Sequence, residues 1–354
     1  MRRFVAAVAV AAAVVLGAGP ALGCGGLIGR NGTVSLVKTT TLAAYENGVE
    51  HYVTSFRFAG AGGAFGSIVP LPDVPTAVER GGDWTLQRLV REVSPVRLSA
   101  RADAARETLA AAPAEVLLEA RVDALDLTVL RGGGDSVGEW ATQNGFDLSP
   151  DAPQVLDFYA RRSPIFLAAR FDADAARQRG LGLGEGIPVH LTIPTANPWV
   201  PLRILGLGRQ ANERVDADVF LLTERRPALL PGDGARGIDV ARQQPASRSL
   251  LADLRSDAGM GWMPEDMLLS HVKVAASPAD LTYDLAVDAS EAGRPSVVAA
   301  GLSDGVVDPV TGGGAGNGPG RLMLWATIAG GVAVVTAAAA AVAVRLSAGG
   351  RASA

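Results

Sequence analysis

The chain contains one cysteine, Cys24, among 354 residues. No disulfide can form within it, even in a compartment that would permit one. Lysine is nearly as scarce. Lys38 and Lys273 are the two present, so 30 of the 32 basic residues are arginine. So uniform a skew reflects the coding composition of a genome, and no arginine is read as a phosphate binder without a cluster around it. Histidine occurs three times, at His51, His190 and His271, with no close H-E-x-x-H spacing. The glycine loops Gly60–Gly66 and Gly180–Gly186 lack the G-x-G-x-x-G register, and no G-K-[S/T] occurs, so both read as turns. A formal charge of -4 speaks against a nucleic-acid partner, which needs a basic face. No catalytic residue, cofactor or metal ligand set is assigned.

What the chain has in quantity is apolar sequence at its two ends. Leu322 to Val344 holds 23 residues without a charge, between Arg321 and Arg345. At about 1.5 Å per residue it spans roughly 34 Å, enough to cross a hydrocarbon core of about 30 Å. The lipid bilayer is therefore the expected partner of Leu322 to Val344, beside an unidentified cell-envelope protein or ligand. At the other end, Arg2 and Arg3 precede an apolar run from Phe4 to Leu16. Pro20 follows, and Ala21 and Gly23 put small residues before Cys24. These are the three parts of a cleavable secretory signal. Lipidation of Cys24 is the sharper alternative, but Ala21-Leu22 departs from the lipoprotein box, and a lipid would duplicate the helix.

The expected organisation is a signal peptide over 1–23 and an extracytoplasmic domain over 24–289. A Gly/Pro-rich tether over 290–321, a membrane helix over 322–344 and a short cytoplasmic tail over 345–354 follow. Localisation is then a cell membrane, crossed once, with the bulk of the chain outside.

Within the domain, Thr33–Tyr45 and Val49–Phe58 read as strands joined at Asn47-Gly48, two residues that tolerate positive φ in a tight hairpin. Tyr52, Phe56 and Phe58 supply an apolar face. Ser67–Leu71 is a short strand. Pro70, Pro72 and Pro75 then stiffen a crossover, and its rim Val69–Val74 is the stretch offered as a contact surface. Asp83 suits the N-cap of a helix over Trp84–Val93, and Ser99–Ala112 reads as a second helix. Leu125, Leu127 and Val129 alternate within Val116–Arg131. Short helices over Val137–Asn144, closed by Gly145, and Pro153–Arg162 follow. Strands are expected at Pro164–Phe171, Ile187–Ile193, Trp199–Leu207, Val215–Leu222, Leu268–Ala275 and Leu281–Val287, with a helix at Ser247–Ser256. This order predicts an α+β fold, mainly antiparallel and β-rich, with several short helices.

Two patterns invite chemistry. Gly134-Asp135-Ser136-Val137-Gly138 matches the G-x-S-x-G of a nucleophile elbow, making a membrane-anchored serine hydrolase using Ser136 the alternative function. The bland reading is that Asp135 or Ser136 caps the following helix. His51, His190 and His271 lie in predicted strands, and three imidazoles can hold zinc, which makes a His-dependent metal-binding module the second alternative. The alternation around His190 and His271 instead places both on solvent-facing sides. Asp216/Asp218 and Glu265/Asp266 read as solvated surface. Trp84, Trp140, Trp199 and Trp262 read as core or interface residues.

A family resemblance runs through the same region. Cys24-Gly25-Gly26, the stretch Phe65 to Pro75, Glu139 to Leu148, Phe158-Tyr159, Phe166 to Phe171 and Pro188 to Ile193 occur in an order that resembles the bacterial domain of unknown function 2330 family. The family pattern that it resembles carries a second cysteine soon after C-G-G in many members. Ile28 to Arg30 offers none, so no disulfide carries over. The resemblance implies an exported or membrane-attached bacterial domain with no established activity, ligand or catalytic residue. The function expected is a non-catalytic binding or scaffolding module at the cell surface.

Overall fold

The computed structural model describes residues 26–29, 39–56, 65–93, 114–178, 186–290 and 292–305. The expected signal peptide, the expected helix over Ser99–Ala112, most of both glycine loops, and the expected membrane helix and tail lie outside the described residues. Among the described residues, no helix is long and apolar enough to cross a membrane.

Strands β1 (Gly26–Gly29), β2 (Thr39–Glu46), β3 (Val49–Phe56), β4 (Phe65–Leu71) and β5 (Ala77–Arg80) lead to helix α1 (Thr85–Val93). Strands β6 (Glu115–Val122) and β7 (Leu125–Arg131) run into α2 (Gly134–Gln143) and α3 (Ala152–Ala160). Then come β8 (Ile165–Phe171), α4 (Ala173–Gln178), β9 (Ile187–Pro194), β10 (Trp199–Val200) and a 3-10 turn, Arg203–Gly206. The chain continues through β11 (Val215–Thr223), β12 (Ala228–Leu230), β13 (Ile238–Pro245), α5 (Arg248–Ser256), β14 (Leu268–Ala276) and β15 (Leu285–Asp288).

A seven-stranded sheet has the order β13-β14-β11-β2-β3-β9-β5, a five-stranded sheet β1-β4-β8-β7-β6, and a three-stranded sheet β10-β15-β12. Their pairings are antiparallel, except that β2 and β11 run parallel. The fold is β-rich, antiparallel and α+β, as expected.

Local chemistry explains the best-defined pieces. Asn47 and Gly48 both take positive φ, 51° and 78°, and close the β2–β3 hairpin. Gly145, at φ 81°, ends α2. Its N–H donates to Thr142 O and that of Phe146 to Ala141 O, which satisfies carbonyls that the helix leaves open. The Ser247 hydroxyl accepts from the Leu250 N–H at 3.1 Å and starts α5. Other expectations are corrected. Gly133 is the N-cap of α2 and no side chain caps it, so neither Asp135 nor Ser136 does. Trp199–Leu207 is a two-residue strand followed by the 3-10 turn, because Asp284 captures the Leu202 and Arg203 amides that a longer strand would need. Strands β5, β12 and β13 are short or polar and carry little alternation to read.

Three apolar clusters define the layers. Tyr52, Val189, Leu191, Val219 and Leu221 of the larger sheet meet Val69, Leu71, Leu127, Val129 and Leu167 of the five-stranded one. Ile68, Leu130 and Phe166, on the far side of the five-stranded sheet, pack on Val137, Trp140, Leu156 and Tyr159 of α2 and α3. Leu42, Val53, Phe220 and Leu269, on the far side of the seven-stranded sheet, pack on Leu86 and Leu89 of α1, Leu250 and Leu254 of α5, and Met260, Met263 and Met267. The order is helices, sheet, sheet, helices. Both faces of the central strands are therefore interior. Ala299 and Ala300, expected in the tether, are fully buried in the second cluster. Pro70, Leu71 and Pro72 of the expected contact rim are buried as well, so the prolines brace the fold rather than present a surface.

Candidate functional site

The helix-covered face of the seven-stranded sheet holds all three histidines. His271, Phe220, Leu42, Val53 and His190 form one lateral row through β14, β11, β2, β3 and β9. Four inter-strand spacings of about 4.8 Å hold His271 and His190 roughly 19 Å apart, so the three imidazoles cannot meet at one ion. His190 and His271 are 3% and 4% exposed. The expectation that they face solvent fails because α1, α5 and the methionines cover the face that their alternation marks as polar.

His51 and His190 come together on adjacent strands. His51 Nδ1 lies 2.9 Å from His190 Nε2, and the ring planes differ by 20° with centroids 5.2 Å apart. That separation is the nitrogen–nitrogen gap plus two ring radii. The rings therefore meet edge to edge, nearly in one plane, with the two nitrogens head-on. Trp262 roofs both, at 4.0 Å and 8° over His51 and 4.9 Å and 17° over His190. Burial lowers the pKa of His51 to about 4 and that of His190, further lowered by the neighbouring imidazole, to about 3. Both rings are neutral at pH 7.

At the other end of the row, His271 Nε2 lies 2.9 Å from Asp218 Oδ1, and its ring stacks on Phe220 at 4.8 Å. Asp218 is 6% exposed, not the solvated acid that its sequence suggested. Asp216, Glu265 and Asp266 do reach the surface. Among the described residues, no group of three or more His, Cys, Asp or Glu is placed to hold a metal ion.

Ser136 lies within α2, on the five-stranded side, rather than on a strand-to-helix turn. The histidines all sit on strands of the other sheet, so Ser136 has no imidazole to take its proton. A G-x-G-x-x-G register does occur at Gly232-Asp233-Gly234-Ala235-Arg236-Gly237. It forms the turn between β12 and β13. With a strand rather than a helix after it, it lacks the helix N-terminus that holds a pyrophosphate.

Asp284 and Glu50 are buried acids that sequence reasoning did not single out. Asp284 accepts from Tyr159 Oη at 2.8 Å, Leu202 N at 2.6 Å and Arg203 N at 3.0 Å, and pairs with Arg162 at 2.5 Å. Arg162 also donates to Ala299 O and lies over the rings of Phe158 and Trp199 at 4.1 and 4.9 Å. Every charge in this knot is answered, which marks it as structural. Glu50 is different. It points into the layer between the sheets, 1% exposed, and neither carboxylate oxygen has a hydrogen-bond partner. Burial raises its pKa to about 8; the nearby Trp199 backbone amide opposes this but completes no hydrogen bond. Glu50 is thus largely protonated at pH 7. Of the tryptophans, Trp140 and Trp199 are buried, whereas Trp84 is 38% exposed.

The model of a family described as an uncharacterized protein conserved in bacteria, DUF2330, matches residues 18–283. The chain belongs to this family. The DUF2330 region takes in both histidine clusters and Glu50, and ends one residue before Asp284. No curated protein matches the sequence. Among solved structures, the chain is similar to baculovirus P35, with 8% identity and a TM-score of 0.39 over 72% of this chain and 96% of that one. A mutated baculovirus P35 after caspase cleavage gives 6% identity and a TM-score of 0.35, over 73% and 99%. Likenesses at that level do not establish a common fold.

Proposed function

We propose that this DUF2330 protein is exported, held at the cell membrane by Leu322 to Val344, and works by binding or scaffolding rather than by catalysis. The carrying observation is the 23-residue uncharged run flanked by Arg321 and Arg345, which is long enough to stop translocation. The signal-like segment before Cys24 and the glycine tether, TGGGAGNGPG, before the run support the same reading. Against the serine hydrolase stands the position of Ser136 inside α2, remote from any imidazole. Shaving intact cells with protease tests the topology. Digestion of the 24–310 region with survival of a small membrane-bound C-terminal piece is expected, and a protected domain overturns it. A broad serine-reactive probe tests the chemistry. No labelling is expected, and labelling that vanishes in Ser136→Ala overturns the binding reading.

A further inference from the structure

The geometry points to a soft monovalent metal site at the His51–His190 pair, taking Cu(I) or its redox-inert counterpart Ag(I) between His51 Nδ1 and His190 Nε2. A hydrogen bond accounts for the 2.9 Å approach in the metal-free protein. The surroundings ask for more than that bond. Two coplanar imidazoles aimed head-on present their lone pairs along one line. With metal–imidazole bonds of about 2 Å, a linear N–metal–N unit needs the nitrogens about 4 Å apart, an opening of roughly 1 Å. The bridging hydrogen moves to the outer nitrogen of its own ring, so two neutral ligands face the ion and no proton is released.

The choice of ion follows from what surrounds the pair. Zinc and related divalent ions take three or four protein ligands, and no third His, Cys, Asp or Glu is placed to complete such a set among the described residues. A d10 monovalent ion accepts two ligands in line, and copper suits imidazole. The Trp262 indole lies flat over both rings, where its π-face attracts a cation. Met260 and Met263, on either side of Trp262 in the chain, are buried in the apolar cluster against which Trp262 packs. His51 and Trp262 remain partly exposed, which leaves a way in.

The test is calorimetric titration of the full chain in detergent with Ag(I) in chloride-free buffer, in a Cys24→Ser background so that the thiol does not score, with tryptophan emission followed in parallel. One ion per chain, no displacement by Zn(II), and loss of that uptake in His51→Phe and in His190→Phe are expected. Trp262→Phe keeps the protein's imidazoles and is expected to lose the emission response. Absence of stoichiometric uptake by the parent overturns the proposal, whatever the variants do. So does uptake that survives both histidine substitutions, displacement by Zn(II), or an emission response unchanged in Trp262→Phe.

Discussion

Asp257, just beyond the C-terminus of α5, caps the N-terminus of α1. Its carboxylate accepts from the Trp84 N–H at 2.9 Å, the Asp83 N–H at 3.1 Å and the Thr85 hydroxyl at 2.8 Å. Asp83, the expected cap, is instead paired with Arg80 at 2.5 Å. The two helices that close the histidine face are thus joined end to end through one buried acid. Asp257→Ala is expected to lower stability by about 2 kcal/mol, the upper range for loss of a cap, with Asp257→Asn costing less because one acceptor remains. Thermal unfolding of the three proteins checks the order, and equal midpoints would dismiss the cap.

Gly82 makes that junction possible. A Cβ there would collide with Thr85 Oγ1, Asp257 Oδ2 and Met260 Cγ. Gly82→Ala is therefore expected to destabilise by more than the loss of the cap alone. Denaturant unfolding of Gly82→Ala beside Asp257→Ala separates the two effects, since a milder Gly82 variant would show that the junction relaxes.

The Arg162–Asp284 knot predicts a non-additive pair. Arg162→Met leaves Asp284, which is 0% exposed, without its counter-ion, and about 3–5 kcal/mol is expected to be lost. Tyr159→Phe removes the acceptor of the Ile204 N–H and is expected to cost about 1–2 kcal/mol. A double-mutant cycle on Arg162 and Asp284 checks this. Additive losses would mean that the two charges do not act on each other.

Glu50 predicts an unusual pH dependence in metal-free protein. Its folded pKa of about 8 lies above the ordinary 4.5. The folded state holds the proton that the unfolded state releases, so stability is full below pH 4.5 and is lost as pH rises through 8. His51 and His190 act oppositely: their depressed pKa values cost stability as pH falls below 6.5. The interval from pH 7 to 8 therefore isolates Glu50, where a loss of roughly 1 kcal/mol is expected. Glu50→Gln should flatten that slope and be the more stable protein at pH 8. Denaturant unfolding at the two pH values decides, and an unchanged slope in the variant would dismiss the protonated acid.

Much of the fold was legible because it is local. Asn47-Gly48 must turn, Gly145 must end a helix, and Leu125, Leu127 and Val129 must share a face, whatever lies around them. The candidate site was not legible for the opposite reason. Alternation in Ile187–Ile193 separates two faces of a strand but does not say what covers the second one. Thr40, Asp218 and His271 look like parts of one solvated face until α1 and α5 close over it. One signal was present: Val219-Phe220-Leu221-Leu222 is an unbroken apolar run, the mark of a strand buried on both faces. It lies on β11, one of the two strands that run parallel at the middle of the sheet.

The sequence by itself determined the Asn47-Gly48 turn, the helix end at Gly145, most strands, the family, and the apolar runs at the two ends, because each depends on neighbours a few residues away. Only the tertiary structure decided which residues meet. His51 and His190 are 139 positions apart and share a hydrogen bond; Thr85 and Asp257 are 172 apart and share a cap. Such pairings follow from sheet order and from what packs on each face, which are properties of the assembled layers. No local pattern carries them.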